Sequence, residues 1–357
     1  MSSIWGNKLR LSIFGESHSE AIGCCLDGFP SGIKINFEEL YSFMKRRSSL
    51  GSSLDTPRIE KDFPNIICGV VNGVSCGTPI SCIIQNQNTR SMDYDNLKNL
   101  PRPSHADYTG SVKYNGYNDA RGGGHFSGRL TAPLVFAGGL CKQYLMDRGV
   151  RIYSRVYSIK SVVDDCIDYD NINEEIFLEA TKKPFSVISA EKQAQMEEVI
   201  CNAKSMGDSV GGVCECVVFG LGAGFGAPIF DGIESVLSSI IFSIPGVKGV
   251  EFGKGFGITS LFGSQANDSF YLDSNEVRTK TNNSGGINGG ISNGMPIVIR
   301  VAFRPTASIS KCQETLNLSS KKQESLSIVG RHDPSIVKRA NVCVESAVCL
   351  GIADLII

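Results

Sequence analysis

The residues best equipped for chemistry in this 357-residue chain are its four histidines. His18 lies in Gly15-Glu16-Ser17-His18, and His105 in Arg102-Pro103-Ser104-His105-Ala106-Asp107. His125 lies in Arg121-Gly122-Gly123-Gly124-His125-Phe126-Ser127-Gly128-Arg129, and His332 in Gly330-Arg331-His332-Asp333-Pro334. A packing histidine usually has aliphatic neighbours in sequence. These four sit instead among glycines, arginines and carboxylates. Segments rich in turn formers read as loops, loops carry sites, and imidazole titrates near neutral pH. The pattern reads as one site that binds anions and moves protons. Glu16 could orient the His18 ring or serve only as a structural partner. Asp107, two residues from His105, carries the same two readings. Asp333 reads as a helix N-cap followed by proline at N1, or as a functional carboxylate beside Arg331 and His332.

Anion binding would fall to arginines. Arg46, Arg47, Arg102, Arg121, Arg129, Arg304 and Arg331 all occupy loop-like or element-terminal positions. Guanidinium makes bidentate contacts to phosphate and carboxylate. Each alone reads as a solvated surface residue. However, Arg102, Arg121, Arg129 and Arg331 lie within four residues of a histidine, so the set suits a substrate with several negative charges.

Composition narrows the class. A formal net charge of -1 gives no global pull toward nucleic acid or an anionic membrane, so any basic patch is local. An apolar fraction of 41% supports a real core. No apolar run reaches the roughly 18 residues of a membrane span. Thirteen cysteines without a CxxC pair argue against a zinc or redox motif. Their odd number, with no signal peptide, points to reduced thiols in a cytoplasmic enzyme. No GxxxxGK[ST] or HExxH occurs, so neither a P-loop nor a zincin site is expected, and no metal is expected. The 39 glycines cluster at 121–128, 220–226, 246–257 and 284–294. They read either as turns between strands or as main chain cradling a large flat ligand. Segment 220–226 superficially resembles a dinucleotide loop, but Pro228 follows and no helix does.

The elements that must position these groups are partly legible. Leu9 to Phe14, Ile66–Val71, Pro79–Ile84, Arg151–Ile159, Val213–Phe219 and Ile297–Phe303 read as strands. Asn36 with Glu39 reads as a capping box opening a helix from Phe37 to about Arg47. A helix from about Leu130 to Arg148 would end at Gly149, and Ser189 would cap another over about 190–205. Asp164–Glu175 reads as a polar surface insertion. Strands and helices interleave without a regular βαβ period. This predicts a single α+β domain over residues 1–357, a sandwich of mostly antiparallel sheets covered by helices.

Several segments are distinctive enough to carry a resemblance. They are Phe14-Gly15-Glu16-Ser17-His18, Arg102-Pro103-Ser104-His105-Ala106-Asp107-Tyr108, Lys113-Tyr114 and Arg121-Gly122-Gly123-Gly124. Further along come Gly207-Asp208-Ser209-Val210-Gly211-Gly212, Val247-Lys248-Gly249-Val250-Glu251, Gly285-Gly286-Ile287-Asn288-Gly289-Gly290-Ile291-Ser292 and Gly330-Arg331-His332-Asp333-Pro334. In these, in this order, the chain resembles the chorismate synthase family over nearly its whole length. The resemblance implies anti 1,4-elimination of phosphate from 5-enolpyruvylshikimate 3-phosphate, with reduced FMN as cofactor, in the last step of the shikimate pathway. Two carboxylates and a phosphate on that substrate match the arginine set.

Carried over by resemblance, His18 would protonate the departing phosphate, His105 would help set the flavin's protonation state, and Asp333 would help accept the ring proton. Ser17, Arg46, Arg47, Arg102, Arg121, Arg129 and Arg331 would grip substrate. Arg47, His105, His125, Phe126, Ser127, Pro245, Gly246, Gly289, Arg304, Pro305, Thr306, Ala307, Ser308, Arg331 and Asp333 would contact the flavin. The chain departs from the family at 125–130, where His125, Phe126, Gly128 and Leu130 replace an arginine, a hydroxyl and a carboxylate. His125 could then stand in for the arginine with a weaker charge. The other departures are Arg304, in place of a common lysine, and Ser48 to Ser53, which hold no arginine. The resemblance also implies a homotetramer. It leaves open an enzyme that additionally reduces FMN with NADPH, or a homologue that has lost activity.

Overall fold

The computed structural model describes residues 3–49, 54, 60–87, 99–328 and 333–357. Its strands pair antiparallel throughout and build two five-stranded sheets. The first runs Ile4–Trp5, Arg10–Gly15, Ala21–Asp27, Ile80–Gln85, Asn65–Cys68 across the sheet. The second runs Val247–Phe252, Ile297–Phe303, Gly212–Phe219, Arg151–Ile159, Val162–Val163. The helices are α1 (Phe37–Lys45), α2 (Asp107–Lys113), α3 (Thr131–Met146), α4 (Glu174–Lys182), α5 (Ala190–Ser205), α6 (Ile233–Ile241), α7 (Gly263–Ala266) and α8 (Val337–Ile356).

The expected α+β class with antiparallel sheets is present, with one refinement of layer order. Helices α3 and α8 lie inside the sandwich rather than over it. Helix α3 touches strands of both sheets, and α8 packs along α3 and onto the second sheet. Every residue of α8 from Ala340 to Asp354 is buried. A helix apolar around its whole circumference belongs in a core, and both sequences are of that kind. Close contact between them needs Gly138, since a Cβ there would lie 2.5 Å from the Ser346 Cα.

Strand positions follow the sequence closely, because period-2 alternation survives tertiary packing. Arg151–Ile159 and Ile297–Phe303 are as expected, as is α5 with Ser189 accepting from the Lys192 N–H. Across the second sheet, Arg155 sits opposite Glu215, Glu215 opposite Arg300, and Arg300 opposite Glu251. This alternating row of charge fixes the register, because a one-residue slip would oppose the wrong faces.

Three local expectations are corrected. The Asn36–Glu39 pair is not a reciprocal box: Asn36 Oδ1 accepts from the Glu38 and Glu39 N–H groups, but its own N–H donates to Gln143 of α3. Asp333 is not an N-cap, since α8 begins at Val337. The stretch before it is irregular and tied to neighbouring loops instead, with the Asp333 carbonyl accepting from Thr306 and the Pro334 carbonyl from Val210. Segment 164–175 is no simple surface insertion. Buried Asp164 accepts from Arg155 at 2.8 Å, Tyr169 donates to Glu215, and Ile167, Tyr169 and Ile172 cover an apolar cluster on the outer face of the second sheet.

Candidate active site

A cleft of about 340 Å³ opens where the loops of the first sheet meet the start of α8. Its size is that of a small-molecule site. Its walls come from the turn after strand Arg10–Gly15, the residues following α1, the 102–105 turn, the glycine loop at 122–129, the 304–308 loop and the first turns of α8. Segments far apart in sequence converge there because α3 and α8 bring both sheets to one end.

His18 lies buried in the wall, with Ser17 Oγ 3.0 Å from its Nδ1. Ser17, rather than Glu16, is therefore the ring's hydrogen-bonding neighbour, and its hydroxyl also accepts from the Gly123 N–H at 3.3 Å. Gly122 makes this approach possible. Its φ is +65°, and a Cβ there would lie 2.4 Å from the His18 ring.

His105 faces the same cleft and donates through Nδ1 to Asp107 Oδ1 at 2.6 Å. Arg102 Nη2 also stands 3.1 Å from that Nδ1. A guanidinium has no acceptor to offer and the carboxylate has no proton, so Nδ1 carries the hydrogen toward Asp107. This tautomer leaves Nε2 for a ligand. Burial by itself would raise the Asp107 carboxyl, but hydrogen bonds and charge from Arg102 and His105 hold it well below the usual carboxylate range. Arg102 is the staple of this corner. It forks onto Asp107 at 2.8 and 2.7 Å and also donates to Ser308 Oγ and to the Gly122 carbonyl.

Among the described residues, five arginines line the cleft, Arg47, Arg102, Arg129, Arg304 and Arg339, against three carboxylates, Glu60, Asp62 and Asp333. This described lining is cationic in excess and suits an anionic ligand. Arg47 and Arg129 both donate to the buried carboxylate of Asp62. Arg304 makes no side-chain hydrogen bond or ion pair among the described residues, although its backbone N–H donates to the Gly246 carbonyl. Arg339 pairs with Asp333 across the mouth of α8, and its buried Nε has no partner among the described residues.

Of the residues singled out in sequence, Ser17, His18, Arg47, Arg102, His105, Phe126, Ser127, Arg129, Pro245, Gly246, Arg304, Pro305, Thr306, Ala307, Ser308 and Asp333 meet in this cleft. Four do not line it. Arg46 turns the other way, to Glu345 at 2.9 Å, because at the end of α1 it points along the opposite side of the helix. Arg121 is half exposed and forks onto Asp119. His125 is held behind the wall, with Nδ1 donating to the Gly15 carbonyl at 2.8 Å and Nε2 3.0 Å from Ser3 Oγ, so it does not replace a cleft arginine. Gly289 and Gly290 (φ +63° and +82°) form the two-residue turn of a hairpin in which Asn288 faces Ile291. That turn needs positive φ at both residues, so its glycines serve chain reversal. The neighbouring 220–226 segment pairs into the same small sheet. Arg331 and His332 lie outside the described residues. All four histidine segments contribute to the cleft, the last through Asp333, but of the histidines themselves only His18 and His105 line it among the described residues.

Sequence reasoning passed over Glu60, Asp62 and Arg339. Asp62 had one signal, a carboxylate in a proline-interrupted polar stretch following the arginines. Arg339 had none, since it sits at helical spacing on an apolar helix.

Phe126, Pro245, Gly246 and Pro305–Ala307 contribute apolar side chains and main chain to the lining, which also includes Arg304 and Arg339 with its orphaned Nε. That donor set fits an aromatic ring system bearing an anionic tail.

Comparison with known proteins follows the same direction. The family model described as chorismate synthase matches residues 9–357. A chorismate synthase of Methanobrevibacter smithii is 40% identical over 354 residues, covering 99% of this chain and 96% of the relative. One from Thermococcus kodakarensis is 43% identical over 349 residues, covering 98% and 96%. A crystal structure of chorismate synthase superposes with a TM-score of 0.76 at 28% identity, covering 98% of this chain and 92% of the other.

Proposed function

This chain belongs to the chorismate synthase family, enzymes of the lyase class, and we propose that the His18–His105 cleft is where it eliminates phosphate from 5-enolpyruvylshikimate 3-phosphate. The observation that carries this reading is the meeting of two histidines with five arginines in one pocket. The reaction breaks the C–O bond to phosphate and a ring C–H bond and forms a C=C bond. It therefore needs a proton for the leaving phosphate, an acceptor for the ring proton, and cationic groups for three anionic substituents.

In our reading, His18 supplies the first proton. Its Nδ1 is engaged by Ser17, so delivery falls to Nε2, in a wall from which bulk water is largely excluded. Asp333, steadied by Arg339, takes part in accepting the ring proton. Arg47 and Arg129 hold substrate anions, and Arg102 fixes the geometry of the His105 corner. The cofactor in this reading is reduced FMN, and Phe126, Pro245, Gly246, Pro305–Ala307, Arg304 and Arg339 are the residues that would hold it. Bound there, a reduced flavin would supply an electron source that eases departure of phosphate. His105, oriented by Asp107, would hold or release a proton beside it through Nε2.

We further propose a homotetramer. Ile229, Phe230, Phe256, Phe262, Phe270 and Leu272 are each at least 64% exposed, an apolar load unusual for a monomer's surface. Ile229 is a β-branched residue at φ +67°, a strained conformation at the start of the short 3-10 turn before α6 that a partner surface would stabilise. One continuous hydrophobic core, drawn from both sheets, supports a single catalytic domain. We place the enzyme in the cytoplasm, in keeping with thirteen unpaired thiols. Among the described residues, no helix is long and apolar enough to cross a membrane.

The decisive experiment is anaerobic. The protein is mixed with 5-enolpyruvylshikimate 3-phosphate and chemically reduced FMN, and chorismate and phosphate are followed. Equal amounts of both support the reading. A folded protein that binds reduced FMN without forming product overturns it. A parallel sample with NADPH and oxidised FMN tests whether the chain also reduces its own cofactor.

A further inference from the structure

Two arginines side by side in a buried wall repel each other, and each alone would be free to swing. Here neither is. Arg47 donates from Nε to Thr131 Oγ1 at 2.7 Å, from Nη2 to the carbonyls of Gly128 and Arg129, and from Nη1 to Asp62. Arg129 donates from Nε to Asn86 Oδ1 at 2.9 Å, from Nη2 to the Gln85 carbonyl, and from Nη1 to Asp62. A guanidinium has five N–H groups, so only one on Arg47 and two on Arg129 are left for a ligand. Asp62 is the one group common to both. Each of its oxygens serves one arginine, and the residue is only 5% exposed. It also sits at φ +49°, a left-handed conformation that an aspartate adopts at a cost. Burial would raise its carboxyl, yet the charges of Arg47 and Arg129 keep it ionised at neutral pH.

We propose that Asp62 is a positioning residue that locks Arg47 and Arg129 into one preformed clamp for the substrate's anionic groups. The proposal rests on the reading above that these two arginines bind substrate. It assigns Asp62 a role opposite to that expected of a bare charge. A carboxylate in an anion-binding cleft should weaken binding by repulsion, and its removal should then lower KM. A clamp that needs Asp62 should instead lose its grip when the carboxylate is removed.

The test is steady-state kinetics of the complete enzyme with reduced FMN, for D62N, R129Q and the double variant. In D62N an amide NH₂ faces one of the guanidiniums, so one arginine must turn away. KM for the substrate is expected to rise roughly 10-fold or more, with kcat changed less, since displacement of a binding group by about 1 Å is enough for such losses. The double variant is expected to raise KM over R129Q by less than D62N raises it over the parent, because with Arg129 gone only Arg47 remains for Asp62 to hold. A folded D62N with KM unchanged or lowered, beside an R129Q with raised KM, overturns the clamp while leaving the arginines as substrate ligands. An R129Q with unchanged KM removes the underlying reading and the proposal with it. If D62N does not fold, D62E carries the test. Its carboxylate on a longer stem displaces both guanidiniums, so a raised KM is expected, and an unchanged KM overturns the clamp.

Discussion

Glu345 offers the sharpest test of how the core supports the site. It sits in α8 with no exposed side-chain surface and accepts from Arg46 at 2.9 Å, from Ser154 Oγ at 2.6 Å and from Lys142. Burial alone would raise its carboxyl, but the Arg46 and Lys142 charges outweigh burial and bring it from 4.5 down to about 2. At ~1.4 kcal/mol per tenfold change in proton affinity, that fall corresponds to about 3 kcal/mol of stability. Glu345→Gln keeps the shape but leaves two cations without a counter-charge. Breaking a buried pair in this way costs ~3–5 kcal/mol. Arg46 and Lys142 retain 21% and 17% of their side-chain exposure and can partly rehydrate, so the lower end is expected. Urea unfolding at pH 7, at matched protein concentration, should therefore show a loss of about 3 kcal/mol with an unchanged slope. The sign with pH follows from the depressed carboxyl. Its contribution is complete above pH 4.5 and drains away as pH falls toward 2, so the gap between the two proteins should narrow over that window. A loss below about 1 kcal/mol at pH 7, or a gap unchanged down to the lowest pH at which both fold, would refute the argument.

Three further outcomes are expected. Asp107→Asn replaces the ionised acceptor that fixes the His105 tautomer with an amide whose NH₂ can face Nδ1, so kcat should fall roughly 10- to 100-fold, and the melting temperature should fall as well because buried Arg102 loses its counter-charge; an unaltered kcat would remove Asp107 from the orientation of His105. His125→Ala should leave the Kd for FMN within about twofold and cost ~1 kcal/mol of stability, since its ring bonds Gly15 and Ser3 outside the cleft; a large loss of FMN affinity in a titration would contradict that placement. Phe230→Asp, at a side chain 87% exposed, should shift the protein to smaller assemblies in sedimentation velocity while leaving the fold intact, and an unchanged sedimentation coefficient would argue against that face as an interface.

Much of the site was legible because its residues are grouped in short polar runs. His18, His105, Arg47, Arg102 and Arg129 declare themselves by type and by neighbours, and they do line the cleft. Where reading failed, the residue type was right and the direction was not. Arg46 and Arg47 are adjacent in sequence, yet one faces Glu345 in the core and the other faces Asp62 in the cleft, because successive residues at a helix end point about 100° apart. His125 lies in the richest glycine run of the chain, but it is turned back onto the Gly15 carbonyl. Gly289, assigned to the flavin by resemblance, sits in a hairpin turn that needs positive φ and does not line the cleft among the described residues.

Although Ala21–Asp27 at the centre of the first sheet went unread, the sequence by itself determined six of the strands, helices α1, α3 and α5, the family and most of the chemical inventory of the site. All of these follow from local periodicity and short motifs. Only the tertiary structure decided that α3 and α8 run inside the sandwich and that Asp333 pairs with Arg339 rather than capping a helix. It alone also decided that Asp62 joins Arg47 to Arg129. Those outcomes depend on which face of each element meets which neighbour across the 67 positions separating Asp62 from Arg129. That choice is made by packing and by the need of buried charges for partners, and neither leaves a local trace in the chain.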